Sequence, residues 1–202
     1  MTARLTPSVL AMAMAVACGS GTASPVGSAT VNGTLNGHAF QAADAIAANV
    51  NQGTTPNAGL IAIASNGGLC ADVNADKEPK STQYLFLAAT DVDLATMQHS
   101  TPTAPGVYTV YFGSGTQPSK QASAFYYQTD ANCLDVMGSA ETAVSGTITL
   151  SSVNNGSYSG SFDLTLNGLA SAPADHVTGT FNAPNCPGLA VLASPSRTTT
   201  CS

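Results

Sequence analysis

Three stretches decide the fold of this chain: Val144-Ser145-Gly146-Thr147-Ile148-Thr149-Leu150, Ser157-Tyr158-Ser159-Gly160-Ser161-Phe162-Asp163-Leu164-Thr165-Leu166 and His176-Val177-Thr178-Gly179-Thr180-Phe181-Asn182-Ala183. In each, apolar residues or glycine alternate with polar ones. Successive side chains of a strand point to opposite faces, so a period of two predicts strands with one buried and one wet face. Asn154-Asn155-Gly156 supplies a hairpin turn between the first two, because Asn and Gly tolerate positive φ. Asn167-Gly168 opens the next connection. Together they make an antiparallel three-strand meander whose core draws on Val144, Ile148, Leu150, Tyr158, Phe162, Leu164, Val177 and Phe181. Gly146, Gly160 and Gly179 share the inward face, where glycine marks a bulge, a bend or the close approach of a facing sheet.

Upstream, Asn36-Gly37 lies between residues 30–35 and 38–42 and is a strong short hairpin signal. Residues 43–50 continue that strand or form one or two helical turns. Residues 60–64, 83–90, 106–112 and 122–129 are further strands, bounded by Gly67-Gly68, Pro102, Pro105 and Pro118. Residues 70–80, 91–104 and 130–142 read as loops, the first with room for a helical turn. About nine short strands and no long helical period predict an all-β body over residues 29–186. The expected architecture is a single antiparallel β-sandwich, immunoglobulin-like or jelly-roll-like, with a barrel as the alternative. Beyond Cys186, Pro187, Pro195 and Thr198-Thr199-Thr200 predict an extended tail over residues 187–202, pinned by Cys201.

The N-terminus carries an address. Arg4, the apolar run Val9-Leu10-Ala11-Met12-Ala13-Met14-Ala15-Val16-Ala17 and the small residues Ala15 and Ala17 form a secretory signal over residues 1–17. That run is shorter than the roughly 20 residues needed to cross a bilayer. Ala15-Val16-Ala17-Cys18 resembles the lipobox of bacterial lipoproteins, with Ala15 where the pattern prefers leucine. The alternative is ordinary cleavage after Ala17, leaving a free Cys18 thiol. Cysteine parity favours lipidation: of 5 cysteines, Cys18 taken for lipid leaves Cys70, Cys133, Cys186 and Cys201, enough for two disulfides. Four thiols allow three pairings. Cys70–Cys133 with Cys186–Cys201 is preferred, and a pairing through Cys70–Cys186 is the main alternative. Residues 19–28 hold Val26 as their one bulky apolar side chain, so 18–28 reads as a lipidated cysteine and flexible tether. In bacterial lipoproteins an Asp after the cysteine tends to retain the protein at the inner membrane. Gly19 is not Asp, so the resemblance implies the outer membrane or cell surface.

Charged residues make up 8% of the 202, against a usual level of about 25%. Without Arg4 the remaining 185 residues carry four basic and 11 acidic side chains, net −7. Such a surface repels phosphate backbones and excludes nucleic acid as a partner.

Asp72-Val73-Asn74-Ala75-Asp76-Lys77-Glu78 places oxygen ligands at alternate positions, like the start of a calcium loop. Lys77 stands where that loop needs glycine and Gln83 where it needs glutamate, so Asp72, Asn74 and Asp76 are weak metal ligands and a solvated acidic loop is expected. No cofactor is expected. His38, His99 and His176 share no short metal spacing, and no catalytic motif is legible. Tyr84, Tyr108, Tyr111, Phe112, Phe125, Tyr126 and Tyr127 concentrate in the middle strands. Adjacent Tyr126 and Tyr127 must face opposite ways, so one of them looks away from the core and could stack on a sugar or anchor a partner protein. The lack of Trp argues against a typical carbohydrate platform. A core plus one edge aromatic is expected.

Asn32-Gly33 with Phe40, Leu69-Cys70, Asp130-Ala131-Asn132-Cys133, Gly146-Thr147-Ile148-Thr149-Leu150-Ser151-Ser152, Gly160-Ser161-Phe162-Asp163-Leu164 and Gly179-Thr180-Phe181-Asn182-Ala183-Pro184-Asn185-Cys186 together resemble a loose group of uncharacterised bacterial secreted lipoproteins with a β-sandwich body. That group implies location and fold, and no site. The expected function is a non-catalytic structural or binding module, anchored to the envelope membrane through its N-terminal lipid, with a protein or polymer ligand possible in kind. The alternatives are a hydrolase with a loop-assembled site drawing on His38, His99, His176 and the acidic loops, and a calcium-stabilised adhesin.

Replacing Cys18 with Ala is expected to move the chain from the membrane to the soluble fraction on cell fractionation. A Cys18→Ala protein that still sediments with membranes would remove the lipid anchor from the account.

Overall fold

The computed structural model describes residues 26–51, 57–113, 115–168, 173–192 and 199–202. In chain order the elements are β1 (Ser28–Asn32), β2 (Thr34–Leu35), β3 (His38–Ala39), β4 (Asp44–Val50), β5 (Ala58–Ala64), α1 (Leu69–Asn74), β6 (Lys77–Glu78), β7 (Gln83–Asp93) and β8 (Gln98–Ser100). They continue as β9 (Gly106–Val110), β10 (Lys120–Gln128), β11 (Glu141–Asn154), β12 (Ser157–Gly168), β13 (Asp175–Ala183), α2 (Pro187–Leu192) and β14 (Thr200–Cys201). The signal sequence, Cys18 and most of the tether lie outside the described residues.

The chain is all-β in character, as its alternation requires, but its strands join in one continuous sheet rather than two stacked ones. The order is β1-β13-β12-β11-β9-β10-β7-β5-β4, with β8 on β7, ten strands in all. Its neighbours pair antiparallel except for a short parallel step between β9 and β10. The sheet rolls until its edges almost meet. Ala47 of β4 bridges Asn185 just past β13, its N–H donating to Pro184 O (2.9 Å) while Cys186 N–H donates to Ala47 O (2.7 Å). Gly27, leading into β1, crosses β4 so closely that a Cβ there would sit 1.9 Å from Ala45 O.

Asp44 fastens this seam. Its carboxylate is buried and accepts backbone N–H bonds from Gly27 (3.0 Å), Ala45 (2.8 Å) and Leu69 (2.9 Å), joining β1, β4 and the start of α1. Removing it would strand two buried donors, Ala45 and Leu69, each costing about 1–3 kcal/mol, and the half-buried N–H of Gly27.

The barrel interior holds Ile61, Ile63, Leu85, Leu87, Ile148, Leu164 and Phe162 with the rings of Tyr108, Tyr126 and Tyr158. Small residues such as Ala45, Ala122 and Ala124 leave room for those rings. Each phenol finds a partner: Tyr108 with Asp91 and Lys120 at one end, Tyr126 with Gln83 and Gln128 at the other, and Tyr158 with Asn49.

The meander β11-β12-β13 stands as its alternation predicts, and Asn155 (φ 46) with Gly156 (φ 83) makes the two-residue turn. One core position is corrected. Val144 is 42% exposed, because a bulge between Ala143 and Ser145 inserts one residue and reverses the phase, turning Ala143 inward. Gly146, at φ 119, carries the irregular backbone. The other two inward-face glycines serve rings: in register, Gly160 faces Phe181 and Gly179 faces Phe162. A Cβ on Gly179 would meet the Phe162 ring at 2.5 Å and Thr30 O at 2.0 Å.

Of the two readings of residues 43–50, strand holds, over Asp44–Val50. Two further expectations change. The 91–104 loop contains the β7–β8 hairpin. The tail after Cys186 is not simply extended: Pro187, whose fixed φ suits a first helical turn, opens α2, and Leu189 is buried.

The preferred cysteine pairing is also overturned. Cys70 bonds Cys186 and Cys133 bonds Cys201, with Cα separations of 5.8 and 5.5 Å. The reason is packing. α1 and α2 lie on the same outer face of β4 and β5, touching at Gly188, where a Cβ would come within 2.3 Å of Asn74 Oδ1. Cys70 and Cys186 are therefore neighbours in that outer layer. Cys201 instead lies in β14, paired with β6, near Cys133.

Ile148→Ala is expected to cost about 2–5 kcal/mol and Val144→Ala less than about 1. Gly179→Ala should cost about 2 kcal/mol or more, because backbone and ring must both yield. Urea unfolding measures all three; equal losses at 144 and 148 would contradict the reversed phase.

Candidate functional site

Strands β7 and β10 are apolar on both faces. In β7, Leu85 and Leu87 enter the barrel, so Tyr84 and Phe86 face outward; in β10, Ala124 and Tyr126 enter and Phe125 and Tyr127 face outward. The register sets Tyr84 opposite Tyr127 and Phe86 opposite Phe125. The result is a two-by-two array of near-parallel rings on the outer wall. Centroids lie 4.9 Å apart for Tyr84–Tyr127 and 5.7 Å for Phe86–Phe125, with Phe86 and Tyr127 only 3° from parallel across the diagonal. Offset pairs of this kind are worth about 0.5–1.5 kcal/mol each beyond burial.

Helices α1 and α2 cover one end of this face and bury Tyr84. They stop short of Phe86 and Phe125, and Phe125 remains 43% exposed. A groove of about 560 Å³ opens there, floored by Leu60, Phe86, Phe125 and Tyr127 and walled by Val136, Ser139 and Ala140. Glu78 and Asp135 bring carboxylates to it. A cleft of about 50 Å³ continues under the helices past Tyr84 and Leu189.

The Cys133–Cys201 disulfide assembles the acidic end. β14 pairs with β6 in parallel, fixing Glu78, and Thr199 Oγ1 donates to Glu78 Oε2 at 3.1 Å. On the other side of the bond, Asp130 Oδ1 accepts from Asn132 N–H (2.7 Å) and Leu134 N–H (3.0 Å), shaping the turn that leads to Asp135. Asp135 bridges to Thr129, and Val136 N–H donates to Gln128 O at 2.9 Å. Burial pushes the Glu78 carboxyl above its ordinary value; the Thr199 hydroxyl opposes this and negative Asp135 adds to it. Tyr127 is also pushed up, by burial first and then by Tyr84, Glu78 and Asp135, so its phenol stays neutral. The groove can receive an apolar body and accept hydrogen bonds at one end. No nucleophile–base pair lies along it among the described residues that line it.

The candidates from the sequence fall elsewhere. His38, His99 and His176 stand on β3, β8 and β13, and the structure does not gather them. His176 Nε2 meets Asp163 Oδ1 at 2.8 Å, but both side chains are well exposed. Asp72 and Asn74 belong to α1, where two residues are roughly 200° of turn. Asn74 turns its amide to Cys70 Sγ, and no group of three or more His, Cys, Asp or Glu among the described residues could hold a metal ion. The four cysteines are structural. The expected single edge aromatic becomes four outward rings, and Phe86, Glu78 and Asp135 were not singled out as site residues. The unbroken apolar run Tyr84-Leu85-Phe86-Leu87 carries the signal for a two-faced strand.

A second acidic cluster lies at the start of β11. Glu141 is only 3% exposed; Oε1 accepts from Asn36 N–H at 3.0 Å, and Oε2 has no hydrogen-bond partner among the described residues. Burial, then the nearby charge of Asp175, push its pKa up to about 7. It ties the β2–β3 hairpin to the barrel.

Compared with protein-family models, with curated proteins and with solved structures, the chain has no significant match.

Because the folded-state pKa of Glu141, about 7, lies above its ordinary 4.5, the folded protein binds the extra proton. That stability is fully present below about pH 4.5 and is lost as pH rises through about 7. Melting curves should show it, and Glu141→Gln should flatten the fall between those values. An unchanged slope in the variant would assign the dependence to other groups.

Proposed function

We propose that the chain is an exported envelope protein whose barrel is a non-catalytic binding module and whose outer aromatic groove is the ligand site. Lipid on Cys18 and the tether over residues 18–28 hold the body at the outer membrane or cell surface. The leader, the lipobox-like Ala15-Val16-Ala17-Cys18 and the two disulfides, which suit an oxidising compartment, support that address.

The observation that carries the reading is the groove itself. A wall with two apolar faces is covered over half its length and left open beside Phe86 and Phe125. An apolar concavity of several hundred Å³ with a few convergent polar groups is the usual form of a small-ligand site. Leaving Phe86 and Phe125 wet costs stability that a ligand would restore.

The hydrolase alternative has one observation in its favour: Glu78, with its raised pKa, and Asp135 line one groove, as paired carboxyls do in glycoside cleavage. Turnover of a panel of nitrophenyl glycosides, abolished by Glu78→Gln, would move the reading there.

Nile red, an uncharged apolar dye, is expected to bind the purified protein, and Phe125→Ser should weaken that binding about tenfold while shifting the melting temperature by only a few degrees. Fluorescence titration reads the first and calorimetry the second. Dye binding unaffected by Phe125→Ser would place the ligand site elsewhere.

A further inference from the structure

The groove is charged asymmetrically. Its described lining brings two carboxylates, Glu78 and Asp135, to the ring array and no basic side chain; Lys77 lines only the narrow cleft under the helices. Elsewhere on the barrel Lys120 bonds Asp91 at 2.9 Å and lies over the Tyr108 ring, and His176 meets Asp163, while the second acidic pair, Glu141 and Asp175, lies outside the groove. Glu78 and Asp135 are two like charges close enough to act on each other, held there by the Cys133–Cys201 bond and by β6–β14 pairing.

From this geometry we infer that the groove selects an organic cation: a primary ammonium or guanidinium carried on an aromatic or aliphatic body. The inference rests on the groove's being the ligand site.

Three physical arguments converge. A cation between Glu78 and Asp135 removes their mutual repulsion and forms charge-assisted hydrogen bonds, the strong kind. The same position lies beside Tyr127, whose neutral phenol oxygen feels both carboxylates and can accept a further hydrogen bond from the cation. The apolar body then covers Phe86 and Phe125. An anion of equal shape meets two carboxylates in a chain of net charge −6, and is rejected at long and short range. A neutral sugar could use the carboxylates as acceptors but leaves their repulsion in place.

Phenethylamine, phenethyl alcohol and phenylacetate share one body and differ in head charge. Titrated near pH 7 in low salt into the full chain carrying Cys18→Ala, and followed by nuclear magnetic resonance shifts, the amine is expected to bind about tenfold tighter than the alcohol. The acid should bind weakest. The double variant Glu78→Gln, Asp135→Asn should bring the amine down to the alcohol's affinity and leave the alcohol unchanged. Should that variant fail to fold, about 0.5 M salt should weaken the amine several-fold and spare the alcohol. An alcohol that binds as tightly as the amine would overturn the cation preference while leaving the groove as a binding site. If none of the three shifts the resonances of Phe86, Phe125 or Tyr127, both the inference and the groove reading fail.

Discussion

Strands β4, β5, β7 and β10 are apolar on both faces, and most of the structure answers that constraint. A sheet that is hydrophobic on one side needs one partner layer; this part of the sheet needs two. The inner faces find each other when the sheet rolls. The outer faces of Ile46, Ala62, Ala64 and Tyr84 need a separate cover, and α1 and α2 supply it with Leu69, Val73 and Leu189. Six-residue helices are too short to persist alone, so the Cys70–Cys186 bond and the Asp44 carboxylate hold them against the wall. By contrast β11, β12 and β13 show Ser and Thr to solvent and need no cover.

Seen this way, the groove is the unfinished edge of the outer layer. The rings of Tyr84 and Tyr127 continue into those of Phe86 and Phe125 without a break, yet the helices end partway along. The residues that finish the boundary, Glu78 and Asp135, are carboxylates rather than apolar caps. The second disulfide gives that boundary its rigidity, since it fastens β14 beside β6 and fixes the turn ahead of Asp135.

The parts legible in the sequence are those with local causes. Alternation from Ser145 to Leu150 and through β12 and β13 locates strands and faces, and Asn36-Gly37 and Asn155-Gly156 form the turns their chemistry dictates. Val144 was misplaced because alternation assumes an unbroken phase, and a one-residue bulge reverses it. Whether sheet edges stack or meet depends on pairs such as Ala47 with Asn185, which no local pattern records. The candidate site had a readable half. Phe125-Tyr126-Tyr127 announces a ring on the outer face, and Tyr84-Leu85-Phe86-Leu87 a second strand of the same kind. That these strands pair in the register that stacks the rings, and that Glu78 and Asp135 arrive beside them, depends on contacts between segments about 50 residues apart.

The two disulfides interleave along the chain: Cys70, Cys133, Cys186 and Cys201 pair first with third and second with fourth. A chain that emerges from its N-terminus presents Cys70 and Cys133 to an oxidant while both rightful partners are still unmade. The bond these two would form is non-native, and it would hold α1 to the loop that should meet β14. Thiol–disulfide exchange would have to break it before Cys186 could reach Cys70. Were the chain oxidised as it emerges, reaching the interleaved pairs would call for a catalyst that rearranges disulfides, or for a delay in oxidation until the C-terminal segment has arrived.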